Sequence, residues 1–426
     1  MLASIVLPLC VPVFLYIIVN LLLPDKTPRH GIYATPGGKW YSLKWLLIYC
    51  MLKLRHRQMT KQNKLCDKPG DADQKSAGFG IRSHNTGAEM ELFTDLTDKP
   101  HDNNSVYLYG INPVDGTWIG VRIAKRQNGV REVWFFLRLP GLNYDLLLPQ
   151  HPDTMVPDVN SNGFEGAGLK IEVTEPMNTW NITYEGNCRL ASRRCSTDQE
   201  GDNPDQKGDG KLVYVSCSLK WRATTPYVNF DTDISLRLMA QNIAKEKWTR
   251  EFFDNMKRLH QTHYEQFGEM AGSVNISGHP EQHVTARGVR DRSFGPRMWD
   301  QFYSYCLLFA QFQDGTSLHA GSFCVPNIFS HLNSGFFINK QGVIVKTVSS
   351  TLSLPDLMPE TTPPKTFTFD MKMETGATYS FTVDMESSVV LIPDDKLDIK
   401  IHETKAAFTM NGIPGHGIGE WLTRPR

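Results

Sequence analysis

SVYLYGINPVDGTWIGVRIAKRQNGVREVWFFL, residues 105–137, decides the fold class. Three runs rich in Val, Ile, Tyr, Phe and Trp (105–112, 117–124 and 130–137) are separated by Asp115-Gly116 and Asn128-Gly129. β-Branched and aromatic residues bounded by Asx-Gly pairs are the pattern of antiparallel strands joined by tight turns. Downstream, 169–175 and 180–185 repeat it around Pro176-Met177-Asn178, and 212–223 follows. Strands are also expected at 271–277, 303–313, 317–325, 336–349, 366–374 and 379–385. In TFTFDMKME (366–374) apolar and polar residues alternate, and Thr375-Gly376-Ala377 supplies a hairpin turn. Many short strands with regular turns predict barrels or sandwiches rather than a parallel α/β sheet. One stretch departs from this rhythm. Between 235 and 260, Trp248, Phe252, Met256 and Leu259 recur at helical spacing among Lys245, Arg250, Glu251 and Lys257, which predicts an amphipathic helix between two halves.

The chain has 426 residues, more than one hydrophobic core usually serves, so two packed units are expected. Lys and Arg balance Asp and Glu at 45 each, without the basic excess of a nucleic-acid binder. The eight cysteines form no C-x-x-C pair and no zinc spacing. Cys188, Cys195 and Cys217 flank a polar loop (196–210); a bridge among them and isolated buried thiols are both open readings.

Residues 1–23, MLASIVLPLCVPVFLYIIVNLLL, carry no charged side chain. At 1.5 Å per residue such a run reaches about 30 Å, the depth of a bilayer's hydrocarbon core, and predicts a single-pass transmembrane helix. It lacks the basic n-region of a signal peptide. Lys26, Arg29, Lys39, Lys44, Lys53, Arg55, Arg57, Lys61 and Lys64 follow it, which predicts a cytosolic body, with the endoplasmic reticulum as the expected membrane. The triplets at Asn103, Asn181 and Asn275 argue mildly for the opposite side. A second apolar stretch, WYSLKWLLIYCMLKL (40–54), suits either a helix in the membrane interface or one packed on the body. Residues 59–78 are polar and read as a linker.

The run from His263 is more specific: HYEQFGEMAGSVNISG (263–278), then HVTARGVRDRSFGPRMW (283–299). It resembles the double-lipocalin proteins of the tocopherol cyclase-like and carotenoid hydratase-like branch. It is most similar to their bacterial uncharacterised domain pair, whose signature runs close to HYEQ-x-G…G…G-x-RDRSWG-x-R-x-W. Phe294 stands where that signature has Trp. GLKIEVTEP (168–176), Trp180, Tyr184-Glu185-Gly186 and GHGIGE (415–420) extend the resemblance over about residues 80–424. It implies two consecutive lipocalin-like antiparallel barrels around an apolar pocket, among relatives that include carotenoid hydratases, pericyclic cyclases and a yeast survival factor implicated in ceramide handling. The expected division is an anchor (1–23), a basic segment and linker (24–78), a first barrel (79–233), a bridging helix (234–262) and a second barrel (263–426).

In Arg290-Asp291-Arg292 the period of a strand puts both arginines on one face and Asp291 on the other. If the Asp291 face looks into an apolar space, desolvation leaves a protonated carboxyl, and such a group can protonate an alkene. Glu265 and Arg297 would orient or stabilise it, and Arg290, Arg292, Tyr264, Trp299 and His319 are the expected ligand contacts. The competing expectation is an ion-pair lock between the barrels. His260-x-x-His263-x-Glu265 has metal-ligand residue types but no third ligand, so no metal is expected. His319 and His331 stand alone. Trp118, Trp134, Phe135 and Phe136 are candidates to line the first cavity or simply core residues. No cofactor is expected, since neither a phosphate-cradling glycine loop nor a redox thiol pair is present. The expected function is therefore binding or transfer of an apolar lipid or isoprenoid in a barrel pocket, with membrane lipids as partners. The alternative is a hydratase, isomerase or cyclase using Asp291.

Overall fold

The computed structural model describes residues 2–65, 87–93, 96, 102–126, 129–157, 163–193, 210–357 and 362–424, without the side chains of 2–10, 13, 59–65 and 395. Three helices precede the strands: α1 (Leu2–Leu22), α2 (Tyr41–Leu65) and α3 (Gly87–Glu91). Among the described residues no helix is long and apolar enough to cross a membrane, so the expected transmembrane span is not found there. Residues 59–65, read as linker, continue α2; the rest of that linker and residues 196–209 of the polar loop lie outside the described residues.

The first sheet begins with β1 (Asp102–Ile111), β2 (Trp118–Arg126), β3 (Val130–Arg138), β4 (Tyr144–Leu147), β5 (Met155–Pro157) and β6 (Phe164–Gly166). It continues through β7 (Leu169–Glu175), β8 (Thr179–Ser192), β9 (Leu212–Ala223) and β10 (Val228–Asn229). Two helices interrupt it, α4 (Leu236–Lys245) and α5 (Arg250–Arg258), before β11 (Thr262–Ile276) and β12 (Gln282–Pro296) complete it. Every pairing is antiparallel, in the order β11-β12-β1-β2-β3-β4-β8, and β9 pairs with both β8 and β11, which closes an eight-strand ring. The second ring follows in chain order: β13 (Ser304–Phe312), β14 (Ser317–Val325), β15 (Phe329–Ile338), β16 (Ile344–Ser350), then the short α6 (Leu354–Leu357), β17 (Thr366–Met373), β18 (Thr378–Leu391), β19 (Lys400–Met410) and β20 (Ile413–Thr423). Its last strand pairs with its first.

One boundary and one helix therefore differ from expectation. The motif strands β11 and β12 belong to the first barrel, so the division falls after Pro296 rather than near 262. Chain order suggested otherwise because the bridging helices intervene between β9 and the strand it pairs with. The expected single bridging helix is two short ones, α5 being capped by the Thr249 hydroxyl, which accepts from the Phe252 amide at 3.0 Å.

Strand alternation fills both barrels. On β1, Val106 and Leu108 enter a core with Val121, Phe135, Trp180 and Trp221, which is the interior of the first ring. On β13, Cys306, Leu308 and Ala310 join Phe369, Phe408 and Trp421 inside the second. The intervening residues face the other barrel: Tyr107 and Tyr109 share a buried cluster with Tyr305, Phe309, Ile401 and Ile418. Outward-facing residues of an isolated barrel would be polar; here they are aromatic and aliphatic because barrel packs on barrel. Large side chains enter the interiors of both rings, Trp180 and Trp221 in the first and Phe369 and Trp421 in the second. Cys188 and Cys217 are free thiols of the first core, burial pushing each up to about 12, and Cys195 lies outside the described residues. Asn103 is fully buried and bonds Ser105, which leaves its triplet inaccessible to glycosylation.

A candidate acid site at the barrel junction

A cavity of about 290 Å³ lies between the two barrels, under α4 and α5. Phe230, Ile234, Met256, Leu259, Phe302 and Phe323 supply apolar wall. Its polar lining includes Asp291, His263, Ser293, Arg297, Tyr107 and Glu420. The size falls near the lower end for small-ligand sites, roughly 300 Å³ upward.

Register places the polar groups. Glu265, Asp291, Tyr107, Arg122 and Trp134 are successive cross-strand partners on β11, β12, β1, β2 and β3. Directly opposed residues of antiparallel strands share a face, so this row points at the second barrel. Leu307, Glu420 and Glu403 form the answering row on β13, β20 and β19. The strand period that turns Asp291 to the junction turns Arg290 and Arg292 the other way. Arg290 stacks on Trp180 of the first core and pairs with Glu91 of α3 at 2.8 Å. Arg292 lies over Phe164 and donates to the Leu92 carbonyl at 2.9 Å. Tyr264 donates to the Met90 carbonyl at 3.2 Å on that same face. These three were expected to touch the ligand; the sheet separates them from the cavity, and they close one end of the first barrel against α3.

Glu265 is fully buried, and an imidazole lies close to each of its oxygens. His263 Nε2 meets Oε1 at 2.9 Å and His319 Nδ1 meets Oε2 at 2.9 Å. Burial alone would raise this carboxyl, but the two imidazoles hold it below the ordinary carboxylate value. Burial likewise opposes charge on His263, yet the bond to Glu265 lifts it above an ordinary imidazole. His263 Nδ1 reaches Ser293 Oγ at 2.7 Å, and His319 Nε2 reaches Ser334 Oγ at 2.9 Å. Both serines line the cavity, whereas His319 itself sits behind it.

Asp291 is in a different position. Among the described residues no protein group hydrogen-bonds its carboxyl, which lies at the cavity wall. Burial pushes its pKa up, Glu265 adds to the rise, and His263 and Arg297 moderate it. Burial, with Arg122 and Arg126 nearby, brings Arg297 down to about 10. Arg297 bonds Gln261 Oε1 at 3.0 Å, and Trp299 lines the cavity while its Nε1 donates to Glu132 at 3.2 Å. Glu132, despite burial, is held at about 2 by Arg122 and Arg126. Trp134 also lines the cavity; Trp118 and Phe136 pack in the junction and Phe135 in the first core. His260, another lining residue, pairs with Asp231 at 3.1 Å.

The sequence reading missed Glu403 and Glu420. Both are buried and stand directly opposite each other, and Tyr107 and Tyr305 donate to them. Burial drives both up, and Glu420 raises Glu403 further. The available signal was a Glu amid apolar strand residues on both of the last two strands.

Fold and site together define a two-barrel β protein with an acid-lined apolar cavity at the barrel junction. The chain belongs to a family of unknown function (DUF8627), whose model matches residues 7–423. No curated protein matches it. Among solved structures, it is similar to kievitone hydratase from Nectria haematococca at 12% identity and a TM-score of 0.40, over 76% of this chain and 90% of that one. It is also similar to CghA with Sch210972, at 10% identity and a TM-score of 0.43, over 83% of this chain and 96% of that one. Likenesses this distant leave the chemistry to be read from the site.

Proposed function

We propose that the chain is an acid–base enzyme, needing no cofactor, that binds an apolar unsaturated lipid or isoprenoid at the barrel junction and protonates it from Asp291. The observation that carries this reading is a carboxyl at an apolar cavity wall, raised by burial and, among the described residues, with no protein hydrogen bond of its own. A carboxyl left to face a ligand is a proton donor in waiting, whereas Glu265, with an imidazole close to each oxygen, is a positioning group for His263. Arg297 adds positive charge that favours the conjugate base once the proton has left. Hydration, isomerisation and cyclisation all begin with that transfer. Membrane attachment through the N-terminal apolar run, with the body in the cytosol at the endoplasmic reticulum, goes with this reading; its support is the uncharged run and the basic residues after it.

The test is to incubate the full chain with a panel of unsaturated lipids and isoprenoids in heavy water. The expected result is carbon-bound deuterium in one probe, lost in Asp291→Asn while that probe still binds. Incorporation that survives Asp291→Asn overturns the assignment. Binding without incorporation in either protein favours the second reading, binding and transfer of an apolar ligand, which the cavity's apolar wall supports equally.

A further inference from the structure

Helix α2 is apolar on two sides, and the body covers one. Ile48 and Leu52 are buried against Ala240 and Ile243 of α4, Phe252 and Met256 of α5, and Phe329 of β15, with Trp45 and Tyr49 beside them. On the other side Leu43, Leu46, Leu47, Cys50, Met51 and Leu54 are exposed, Met51 by 63%. Their spacing of three and four makes a single stripe along the helix. Exposed leucines scattered singly need no explanation; an unbroken stripe of six does.

The charge around the stripe selects its partner. From 26 to 65 the chain carries the nine basic residues named above and no acidic residue. Lys53, Arg55 and Arg57 are exposed along the same helix. Helix α1 also exposes apolar side chains, Val11, Phe14, Leu15, Val19 and Leu22. The two helices are joined at their near ends: the Trp40 amide donates to Asn20 Oδ1 at 2.8 Å, and the Leu43 amide donates to Tyr16 Oη at 3.1 Å.

We infer that α2 is an interfacial seat on an anionic lipid bilayer, its outer stripe sunk among the acyl chains and its basic residues at the headgroups. This goes beyond membrane attachment through the N-terminal run and is independent of the acid chemistry at Asp291. An apolar helix face beside the exposed Lys53 and Arg57, in a segment without an acidic residue, fits a negatively charged lipid surface better than a protein partner, which would also have to match that charge with acidic groups. The seat has a consequence for the cavity. Met256 and Phe329 belong both to the cluster under α2 and to the cavity wall, and Met239, Ile328 and Leu332 adjoin both. The same side chains thus pack in the cluster under the helix and line the ligand space.

The test uses Cys50, which the stripe itself supplies. The full chain, with Cys10→Ser, Cys66→Ser and Cys195→Ser, is labelled at Cys50 with an environment-sensitive fluorophore. It is mixed with phosphatidylcholine vesicles or with vesicles containing roughly a third phosphatidylserine. The expected result is a blue-shifted emission, quenched by nitroxide lipids, that is stronger with phosphatidylserine and weakened by high salt. Leu47→Glu with Met51→Glu should lower partitioning roughly tenfold or more without changing the melting temperature. A chain that floats with vesicles while Cys50 stays aqueous overturns the seat and leaves attachment to α1 alone. No flotation overturns both. A blue shift without vesicles that tracks dimerisation assigns the stripe to a second copy and also overturns the proposal.

Discussion

Glu403 and Glu420 face each other across the β19–β20 ladder, both buried, each accepting from a tyrosine of the junction. Two carboxylates so placed cannot both ionise at little cost, so the pair holds a proton over a wide pH range. A carboxyl whose folded pKa is raised contributes stability that is whole below the ordinary carboxylate value and is lost as pH rises through the folded value. Both members are raised, so both act in that direction.

Thermal unfolding of the wild type should therefore show stability falling as pH rises above the ordinary carboxylate range. Glu403→Gln, whose amide can still accept from Tyr107 and can donate to Glu420, should flatten that fall. An unchanged pH profile would show that the pair does not share a proton.

Glu132 works with the opposite sign. Its pKa is depressed to about 2, so its contribution is present above the ordinary carboxylate value and is lost as pH falls toward the folded one. Glu132→Gln should cost roughly 3 kcal/mol near neutrality, from the size of that depression. The difference between the two proteins in urea unfolding should shrink as pH approaches about 2. A gap that stays constant with pH would assign the loss to packing beside Trp299 instead.

The grip of His263 and His319 on Glu265 is fully buried on the carboxylate side. Glu265→Ala leaves two imidazoles without their acceptor and should cost about 3–5 kcal/mol, the range for breaking a buried pair by removing one partner. Chemical denaturation at mildly acidic pH measures it. A loss below about 1 kcal/mol would mean that the histidines find other acceptors.

Damage to a barrel core should separate from damage to the junction cavity. Trp421→Ala in the second core should cost about 3–5 kcal/mol while sparing ligand affinity in the protein that remains folded. Trp134→Ala, at the cavity wall, should weaken affinity for an apolar probe. Equal affinity losses from the two changes would move the ligand into a barrel.

Much of the strand architecture was legible, and the reason is local. β14 spans 317–325 as read, because Ser-Leu-His-Ala bounded by Asp314-Gly315 carries its own turn signal. β16 was merged with β15 because Asn339-Lys340-Gln341-Gly342, the turn between them, is followed at once by Val343-Ile344-Val345. β19 and β20 were passed over because their glycines, glutamates and histidine break the apolar run. A methyl added at Gly417 would sit 1.8 Å from the Phe309 carbonyl oxygen, so close strand approach rather than turn chemistry explains that glycine. The acid site was half legible. Asp291 could be placed opposite its flanking arginines by strand period, but which face was the ligand's depended on barrel packing against barrel. That contact joins residues some two hundred positions apart, such as Tyr109 and Phe309, and no local pattern encodes it.

The central claim is that an apolar ligand sits at the barrel junction against Asp291, and photo-crosslinking tests it most directly. The full chain would be irradiated with a diazirine-bearing fatty acid and the adducts mapped by peptide mass spectrometry. Adducts on Leu259, Phe302 and Phe323, displaced by excess unlabelled fatty acid, are the predicted result. Adducts on Val121 or Leu308 inside the barrels, or no displaceable adduct at all, would contradict it.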